Sequence, residues 1–318
     1  MEAPATPPVA PLVVVNPVAS KLAHEKRRGG IVDAVVAAVA ARTGQAPDVA
    51  ATTREAAAVA LAAARHAPLV AVVGGDGTLR EAAAALSGTG VPLAIVPAGT
   101  GNVFAAELGV PRGISGAIEV IRAGRPRPVD LGLATWGSAE DGVAGPPAGS
   151  NAFVVACGVG FDARVMARAS AEHKRRLGFG AYIVAAIHEA ASPRPTRFTI
   201  EADDETHEAT GLVALVANCG QIIPGFVGPR HPIDPADGLL DVIVVTATTL
   251  PGGLLGAAEA LLARGPTPHR HRRSLRLRAA RVRITADPEQ PVQVDGDAHR
   301  AAWLEARVNP GAITILRR

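Results

Sequence analysis

From Leu12 onward the chain repeats one pattern: a short run of β-branched residues, a turn of small residues, then an alanine-rich stretch with apolar positions at helical spacing. The first strand is predicted at Leu12–Val15, followed by a turn at Asn16–Ser20 and a helix around Ile31–Ala41. A helix at Arg54–Arg65 comes next, then a strand at Leu69–Val73, a turn at Gly74–Thr78 and a helix through Leu86. The third unit has a strand at Leu93–Val96, a turn at Pro97–Gly101 and a helix from Asn102 to Leu108, and the helix Ile114–Ala123 closes this half. Such βα alternation predicts a doubly wound, largely parallel sheet.

Near Val129 the pattern changes to strands that follow one another. They are predicted at Val129–Thr135, Ala152–Cys157, Thr196–Ala202, Gly211–Ala217, Leu240–Val245, Ser274–Ile284 and Pro291–Val294, with one helical stretch at Ala163–Ala191. This reads as a β-rich second domain of sandwich type. Residues 1–11 are Pro/Ala-rich and read as a disordered lead, and Gly137–Ser150 has no apolar period and reads as a hairpin loop.

Composition agrees and narrows the classes. A length of 318 residues suits two domains, and 48% hydrophobic residues excludes a disordered chain. Two cysteines, Cys157 and Cys219, cannot make a disulfide framework and read as buried thiols. With no basic segment before a hydrophobic start, a reducing cytosolic compartment is the expectation. No apolar run reaches the ~18 residues that would span a bilayer. Lys+Arg is 32 against Asp+Glu 29, so the net charge of +3 permits an acidic partner without requiring one.

Parallel strands point the same way, so the turns Asn16–Ser20, Gly74–Thr78 and Gly99–Asn102 leave the same, ligand-binding edge of the sheet. In Gly74-Gly75-Asp76-Gly77-Thr78 the glycines let backbone N–H groups approach an anion, and the following helix adds its positive N-terminal end. Asp76 would repel a phosphate directly, so a carboxylate there makes most sense holding a Mg²⁺ that phosphate also binds. Thr100 offers a hydroxyl, and Asn102 reads as a helix N-cap. A tight βα connection is the bland reading of each turn taken alone. No P-loop pattern and no G-x-G-x-x-G after the first strand occur, which excludes P-loop NTPases and argues against a Rossmann dehydrogenase.

These residues resemble the catalytic domain of the diacylglycerol kinase and sphingosine kinase family. GGDGT at Gly74–Thr78 is shared with NAD kinases and phosphofructokinases, but PAGTGN at Pro97–Asn102 narrows the match. Asn16-Pro17, GVGFDA at Gly158–Ala163, NCGQ at Asn218–Gln221, PGF at Pro224–Phe226, DPADGLLD at Asp234–Asp241 and QVDGD at Gln293–Asp297 continue it in order. The resemblance implies a nucleotide-binding α/β domain at 12–128 plus about 304–318, with the strand Ala312–Leu316 returning to it. It also implies a β-sandwich acceptor domain at 129–303 and an active site in a cleft between the two. ATP would contact Asn16, Pro17, Ser20, Thr52, Gly74, Gly75, Asp76, Gly77, Thr78, Gly99, Thr100 and Asn102, with Thr53 an alternative to Thr52.

The implied reaction is Mg²⁺-dependent transfer of the γ-phosphoryl of ATP to a lipid hydroxyl, with Asp76 organising Mg-ATP. The family's base is the last residue of an acidic D-G-E; here it is Asp297, one methylene shorter, within Asp295-Gly296-Asp297. A D-G hairpin turn that happens to be acidic is the alternative reading. The family's structural Mg²⁺ loop falls on the Asp237 side chain with the carbonyls of Asp234 and Leu239, where a plain turn is again the alternative. Rival readings are an NAD kinase-like activity on a soluble acceptor and a non-catalytic lipid- or nucleotide-binding regulator.

Between Arg264 and Arg283 lie Arg270, Arg272, Arg273, Arg276, Arg278 and Arg281 without one acid. This reads either as a solvated strand face or as a contact for anionic lipid headgroups at the inner face of the membrane. With 3% aromatic residues and no binding motif, a nucleic-acid role is not expected. Self-association as a homodimer stays open.

Overall fold

The computed structural model describes residues 9–22, 25–52, 54–137, 147–160, 163–164, 195–220, 233–249, 251–252, 255–256, 269–270 and 272–318. The expected helical stretch beyond Arg164, the PGF element, Phe161, Asp162, Gln221, Thr53, His271, most of Leu250–Arg264 and most of the Gly137–Ser150 loop lie outside the described residues. The chain divides into two units, Met1–Val129 with Gly311–Arg318, and Asp130–Pro310.

The first unit runs β1 (Leu12–Val15), α1 (Glu25–Thr43), β2 (Asp48–Ala51), α2 (Arg54–Ala63), β3 (Val70–Gly74), α3 (Asp76–Leu86), β4 (Pro92–Pro97), α4 (Val103–Glu107) and α5 (Ile114–Ala123). β1 and β3 are buried at every residue, as expected of parallel strands covered on both faces. The strands are parallel in the order β2-β1-β3-β4, and Thr314 and Ile315 of the last strand add beside Pro92 and Leu93 of β4. α3 buries Leu79, Ala82, Ala83 and Leu86, one face at helical spacing. Arg42 at the end of α1 donates to the carbonyls of Ile121 and Gly124, which closes the C-terminal end of α5. β2 escaped the sequence pattern because only one of its residues, Ala50, is even half-buried, so no apolar run marks it.

The strand order carries the functional consequence. After β1 the chain goes to β2 on one side, then returns to β3 on the other. The order therefore reverses between β1 and β3, where the turns at their carboxyl ends diverge and leave a crevice for a ligand.

The second unit contains β5 (Arg125–Gly137, entering from the first), β6 (Gly149–Phe153), β7 (Ala156–Gly160), β8 (Thr196–Ala202), β9 (Glu205–Gly211) and β10 (Val213–Ala217). It continues with β11 (Leu240–Val245), β12 (His269–Arg270), β13 (Ser274–Ala279), β14 (Arg281–Asp287), β15 (Val292–Val294), β16 (Asp297–His299) and the start of β17 (Trp303–Arg317). One sheet has the order β12-β13-β11-β10-β7-β15-β16. In the other, Trp303–Arg307 of β17 pairs with β14, and β14, β8 and β9 follow in order. Phe153, Phe198, Ile200, Val242, Leu275, Leu277, Ile284 and Leu304 lie in one buried cluster drawn from both sheets, which makes the unit a sandwich. Cys157 and Cys219 are buried, as expected.

Two strands predicted as single runs are each broken in two, and in both cases a distant aspartate makes the break. The Ser274–Ile284 run splits at Ala280 into β13 and β14, which belong to different sheets. Asp203, in the β8–β9 turn, accepts the Ala280 and Arg281 N–H groups at 3.1 and 2.8 Å and so holds the corner. The Ala152–Cys157 run splits into β6 and β7. The N–H groups of the intervening Val154 and Val155 and of Ala156, the first residue of β7, all point at Asp295, at 2.8, 3.0 and 3.0 Å.

Candidate active site

The three small-residue turns of the first unit are knitted into one surface. Asn16 follows β1; its N–H bonds the Val73 carbonyl, and its Nδ2 donates to Thr78 Oγ1 at 3.0 Å across the β1/β3 reversal. Asn16 Oδ1 accepts the Val18 N–H, which shapes the Asn16-Pro17 turn. Ser20 Oγ donates to the Ala98 carbonyl at 3.1 Å, and the Ala98 and Gly99 N–H groups reach back to the Gly74 carbonyl. Thr52 lies at the end of β2 with its N–H on the Val15 carbonyl. All four predicted segments are thus at one sheet edge.

Gly75 and Gly99 are needed for that closeness. A methyl group on Gly99 would lie 2.6 Å from the Gly75 Cα and 3.1 Å from Asn102 Oδ1, and the reciprocal methyl on Gly75 would meet Gly99 at 3.3 Å. Two backbones touching with no Cβ between them leave room for a ligand to approach the main chain of the Gly74–Thr78 turn closely. Thr78 is almost fully buried and its hydroxyl is held by Asn16, whereas Thr100 is exposed.

Two side chains play roles that differ from their sequence reading. Asn102, expected as a helix N-cap, makes no capping bond. It sits at φ 49° with its amide turned back on the turn, Oδ1 accepting the Gly99 N–H at 3.0 Å and Nδ2 donating to the Gly99 carbonyl. The cap comes instead from Asp76, whose Oδ2 and Oδ1 accept the Val103 and Phe104 N–H groups at 3.1 and 3.2 Å. Asp76 therefore fastens the Gly74–Thr78 turn to the Pro97–Asn102 turn. Burial raises its carboxyl above the ordinary value of 3.8, and the backbone N–H groups oppose that rise only in part.

Lys21 was not singled out in the sequence, although it is one of only three lysines in this arginine-rich chain. Its N–H donates to the Ala98 carbonyl, and its Nζ donates to the carbonyls of Pro97 and Arg112 at 2.8 and 2.7 Å. It staples the first turn to the third.

In the second unit the acidic D-G-D element divides its two carboxylates. Asp295 and Gly296 have φ of 45° and 88° and form a two-residue hairpin turn in which Val294 pairs with Asp297. Asp295 turns inward to the three N–H groups at the β6–β7 break, and Gln293 Oε1 accepts the Gly296 N–H at 2.9 Å. Asp297 is exposed at the start of β16. Asn218, buried, donates to the carbonyls of Asp130 and Val154 and braces the same break. The hairpin reading thus holds for Asp295 and Gly296, while Asp297 stands exposed beyond the turn.

The loop at Asp234–Leu239 is closed by protein groups. Asp234 Oδ1 accepts the Ala236 N–H, and Asp237 Oδ1 accepts the Leu239 N–H, both at 3.1 Å. Asp237 Oδ2 is ion-paired with Arg278. Buried Asp130 accepts the Gly238 N–H at 2.7 Å and returns its own N–H to the Pro235 carbonyl. Among the described residues no three His, Cys, Asp or Glu side chains converge as metal ligands would. The Mg²⁺ site expected on Asp237 with the carbonyls of Asp234 and Leu239 does not fit this geometry, because a guanidinium already stands against the only side-chain ligand.

The stretch that contains no acid in sequence meets acids in space. Arg276 bonds Asp241 through Nε and Nη2 at 2.9 and 2.6 Å, deep in the unit. Arg281 and Arg283 reach Glu305 at 2.7 and 3.4 Å, joined there by Arg307. Burial alone would raise the Glu305 carboxyl, but the hydrogen bonds and charge of Arg281 and Arg307 outweigh it and hold it below the ordinary value of 4.5. Arg283 also lies over the Trp303 ring at 4.1 Å. Arg276 and Arg278 are thus matched one-to-one by Asp241 and Asp237, whereas Arg281, Arg283 and Arg307 share the single carboxylate of Glu305.

Comparison with known proteins agrees with this architecture. The family model described as the diacylglycerol kinase catalytic domain matches residues 10–134, and that of the YegS C-terminal NAD kinase beta sandwich-like domain matches residues 154–317. Proteins named probable lipid kinase YegS-like are similar throughout. That of Pseudomonas aeruginosa (strain PAO1) is 31% identical over 256 residues, 80% of this chain and 77% of the relative. An uncharacterized protein of Synechocystis sp. is 31% identical over 243 residues, 76% of this chain; the chain spans only 53% of that relative's length. Among solved structures, a diacylglycerol kinase from Bacillus anthracis str. Sterne superposes with a TM-score of 0.69 at 21% identity, over 98% of each chain. Yeast NADH kinase superposes at 0.53 with 12% identity, over 98% of this chain and 84% of the other. At these identities the two structures speak for the fold alone. On its sequence matches, the chain belongs to the diacylglycerol kinase catalytic-domain family, a kinase family, in the form that carries a YegS-type C-terminal sandwich.

Proposed function

We propose that this protein transfers the γ-phosphoryl group of ATP to the hydroxyl of a lipid alcohol, diacylglycerol or a related lipid. The observation that carries the reading is the three-turn edge at the β1/β3 reversal, where GGDGT and PAGTGN meet without a side chain between them. The lipid class of the acceptor is taken from the names of the Pseudomonas relatives.

The residues at this edge suit a magnesium nucleotide. Asp76 takes the Val103 and Phe104 N–H groups on its two oxygens, and Mg²⁺ bound with phosphates asks for only one or two carboxylates. When bound, Mg²⁺ neutralises charge on the phosphates. The backbone N–H groups around Gly75 and Gly77 would hold the phosphate oxygens, Thr100 would add a hydroxyl, and Asn16 keeps Thr78 in place. Asp297, exposed and in the position of the family's acidic base, would take the acceptor hydroxyl's proton. Bilayer contact enters the proposal through the acceptor, which resides in a membrane, and the ATP requirement puts the work at its cytoplasmic face. No helix among the described residues is long and apolar enough to cross a membrane.

The decisive experiment incubates the protein with labelled ATP, Mg²⁺ and a membrane lipid extract, with NAD in a parallel reaction, and identifies the labelled product by mass. A phosphorylated lipid is expected. Labelled NADP would move the chain to the NAD kinase reading, and Mg-ATP binding with no labelled product would make it a regulator.

One variant tests the shared edge itself. Gly99→Ala forces the two turns apart, and a displacement of about 1 Å at a reacting group is enough for a loss in kcat/KM on the order of 10²-fold. Steady-state kinetics in ATP reads this directly, and a variant with unchanged kcat/KM would show that the turns do not act as one surface.

A further inference from the structure

We propose that Arg278 is the built-in cation of the 234–239 loop, so that this protein holds the loop without a bound divalent ion. The loop resembles a metal-binding turn in sequence, and its side-chain ligand would be Asp237. That carboxylate is already committed on both oxygens, Oδ2 to the Arg278 guanidinium and Oδ1 to the Leu239 N–H. A divalent ion on Asp237 would stand beside a fixed positive charge in a partly buried setting, where like charges repel far more than in water. Hard cations also want about six oxygen ligands, and several oxygens in and around the loop already accept protein N–H groups. Asp234 caps the Ala236 N–H, the Pro235 carbonyl takes the Asp130 N–H, and Asp130 takes the Gly238 N–H.

The strand register explains how an arginine arrives there. Arg278 of β13 is the cross-strand partner of Asp241 at the start of β11, four residues after Asp237. Arg276, two residues earlier on the same face, neutralises Asp241 through two hydrogen bonds. With Asp241 met by Arg276, the Arg278 guanidinium is available to Asp237 while its Nε stays 3.5 Å from Asp241 Oδ2. Two guanidinia spaced by two residues thus serve two aspartates spaced by four, the turn between the aspartates supplying the offset. The planar, permanently charged arginine fork suits such a bridge better than lysine.

The test is thermal unfolding of the full chain in the absence of nucleotide, after treatment with EDTA and buffer exchange. The midpoint of the wild-type protein is expected to be the same with and without millimolar Mg²⁺, and Arg278→Gln is expected to lower it by several degrees. Arg278→Lys should recover part of that loss. A Mg²⁺-dependent rise in the wild-type midpoint that disappears in Asp237→Asn would overturn the proposal, as would an Arg278→Gln variant as stable as wild type. A rise that persists in Asp237→Asn places the ion elsewhere and upholds it. Should Arg278→Gln fail to fold, the wild-type and Asp237→Asn arms decide alone.

Discussion

Replacing Asp297 by Asn is expected to remove phosphoryl transfer while leaving the fold and ATP binding in place. The loss should be on the order of 10²–10⁴-fold in kcat, the usual contribution of a positioned general base. Asp297 lies exposed at the first residue of β16, and its neighbour across the hairpin is Val294. An amide of the same shape can accept a hydrogen bond from the acceptor hydroxyl but cannot take its proton. Thermal midpoint and nucleotide affinity should therefore match the wild type, which separates a chemical defect from an unfolded protein. Asp297→Glu completes the measurement, because it restores the longer side chain that the family carries. Activity at or above wild type in the Glu variant would show that the shorter Asp is an adaptation of reach. Full activity in the Asn variant would remove Asp297 from the mechanism.

Two residues earlier, Asp295→Ala should do the opposite and destabilise the second unit. Three N–H groups, from Val154, Val155 and Ala156, end on this one carboxylate within 3.0 Å. Hydrogen bonds to a charged group contribute ~1.5–3 kcal/mol each, and N–H groups left unsatisfied in the interior add a desolvation penalty. Even allowing for overlap among the three, a loss of about 3–5 kcal/mol is expected, a large part of the typical ~5–15 kcal/mol of a folded domain. Alanine is also poorly suited to the φ of 45° that Asp295 adopts. Denaturant titration should show a lower midpoint, and hydrogen exchange should quicken first at residues 154–156. An unchanged midpoint would mean that the β6–β7 break is held by Asn218 and the sheet alone. The paired outcomes, chemistry lost at Asp297 and stability lost at Asp295, separate two acids that are equivalent in the sequence.

Much of the first unit was legible because its signals are local. Valine runs bounded by glycine-rich turns mark β1, β3 and β4 to within a residue, and the parallel direction of those strands brings their turns to one edge. The motif residues Asn16, Gly75, Asp76, Thr78 and Gly99 were found by type and spacing, and their neighbours in space are one another. The errors fall where a distant side chain decides local structure. Asp76, 27 positions before Val103, supplies the cap that Asn102 was expected to make. Lys21 drew no attention because a lone lysine after a turn has no pattern until its carbonyl partners are brought to it.

The sequence was sufficient for the order of α/β and β-rich halves and for the small-residue edge, since each rests on periodicity or on residue types at short spacing, and for the family through the resemblance of its ordered motifs. It was not sufficient for charge. Arg276, Arg278, Arg281 and Arg283 stand in an acid-free stretch along the chain, yet in the folded unit they face Asp241, Asp237 and Glu305. Antiparallel pairing of β13 with β11 and of β14 with β17 brings those carboxylates from tens of residues away. Electrostatic energy depends on distance in space, and strand register sets that distance. A count along the chain therefore misses the carboxylates that the fold brings to these arginines.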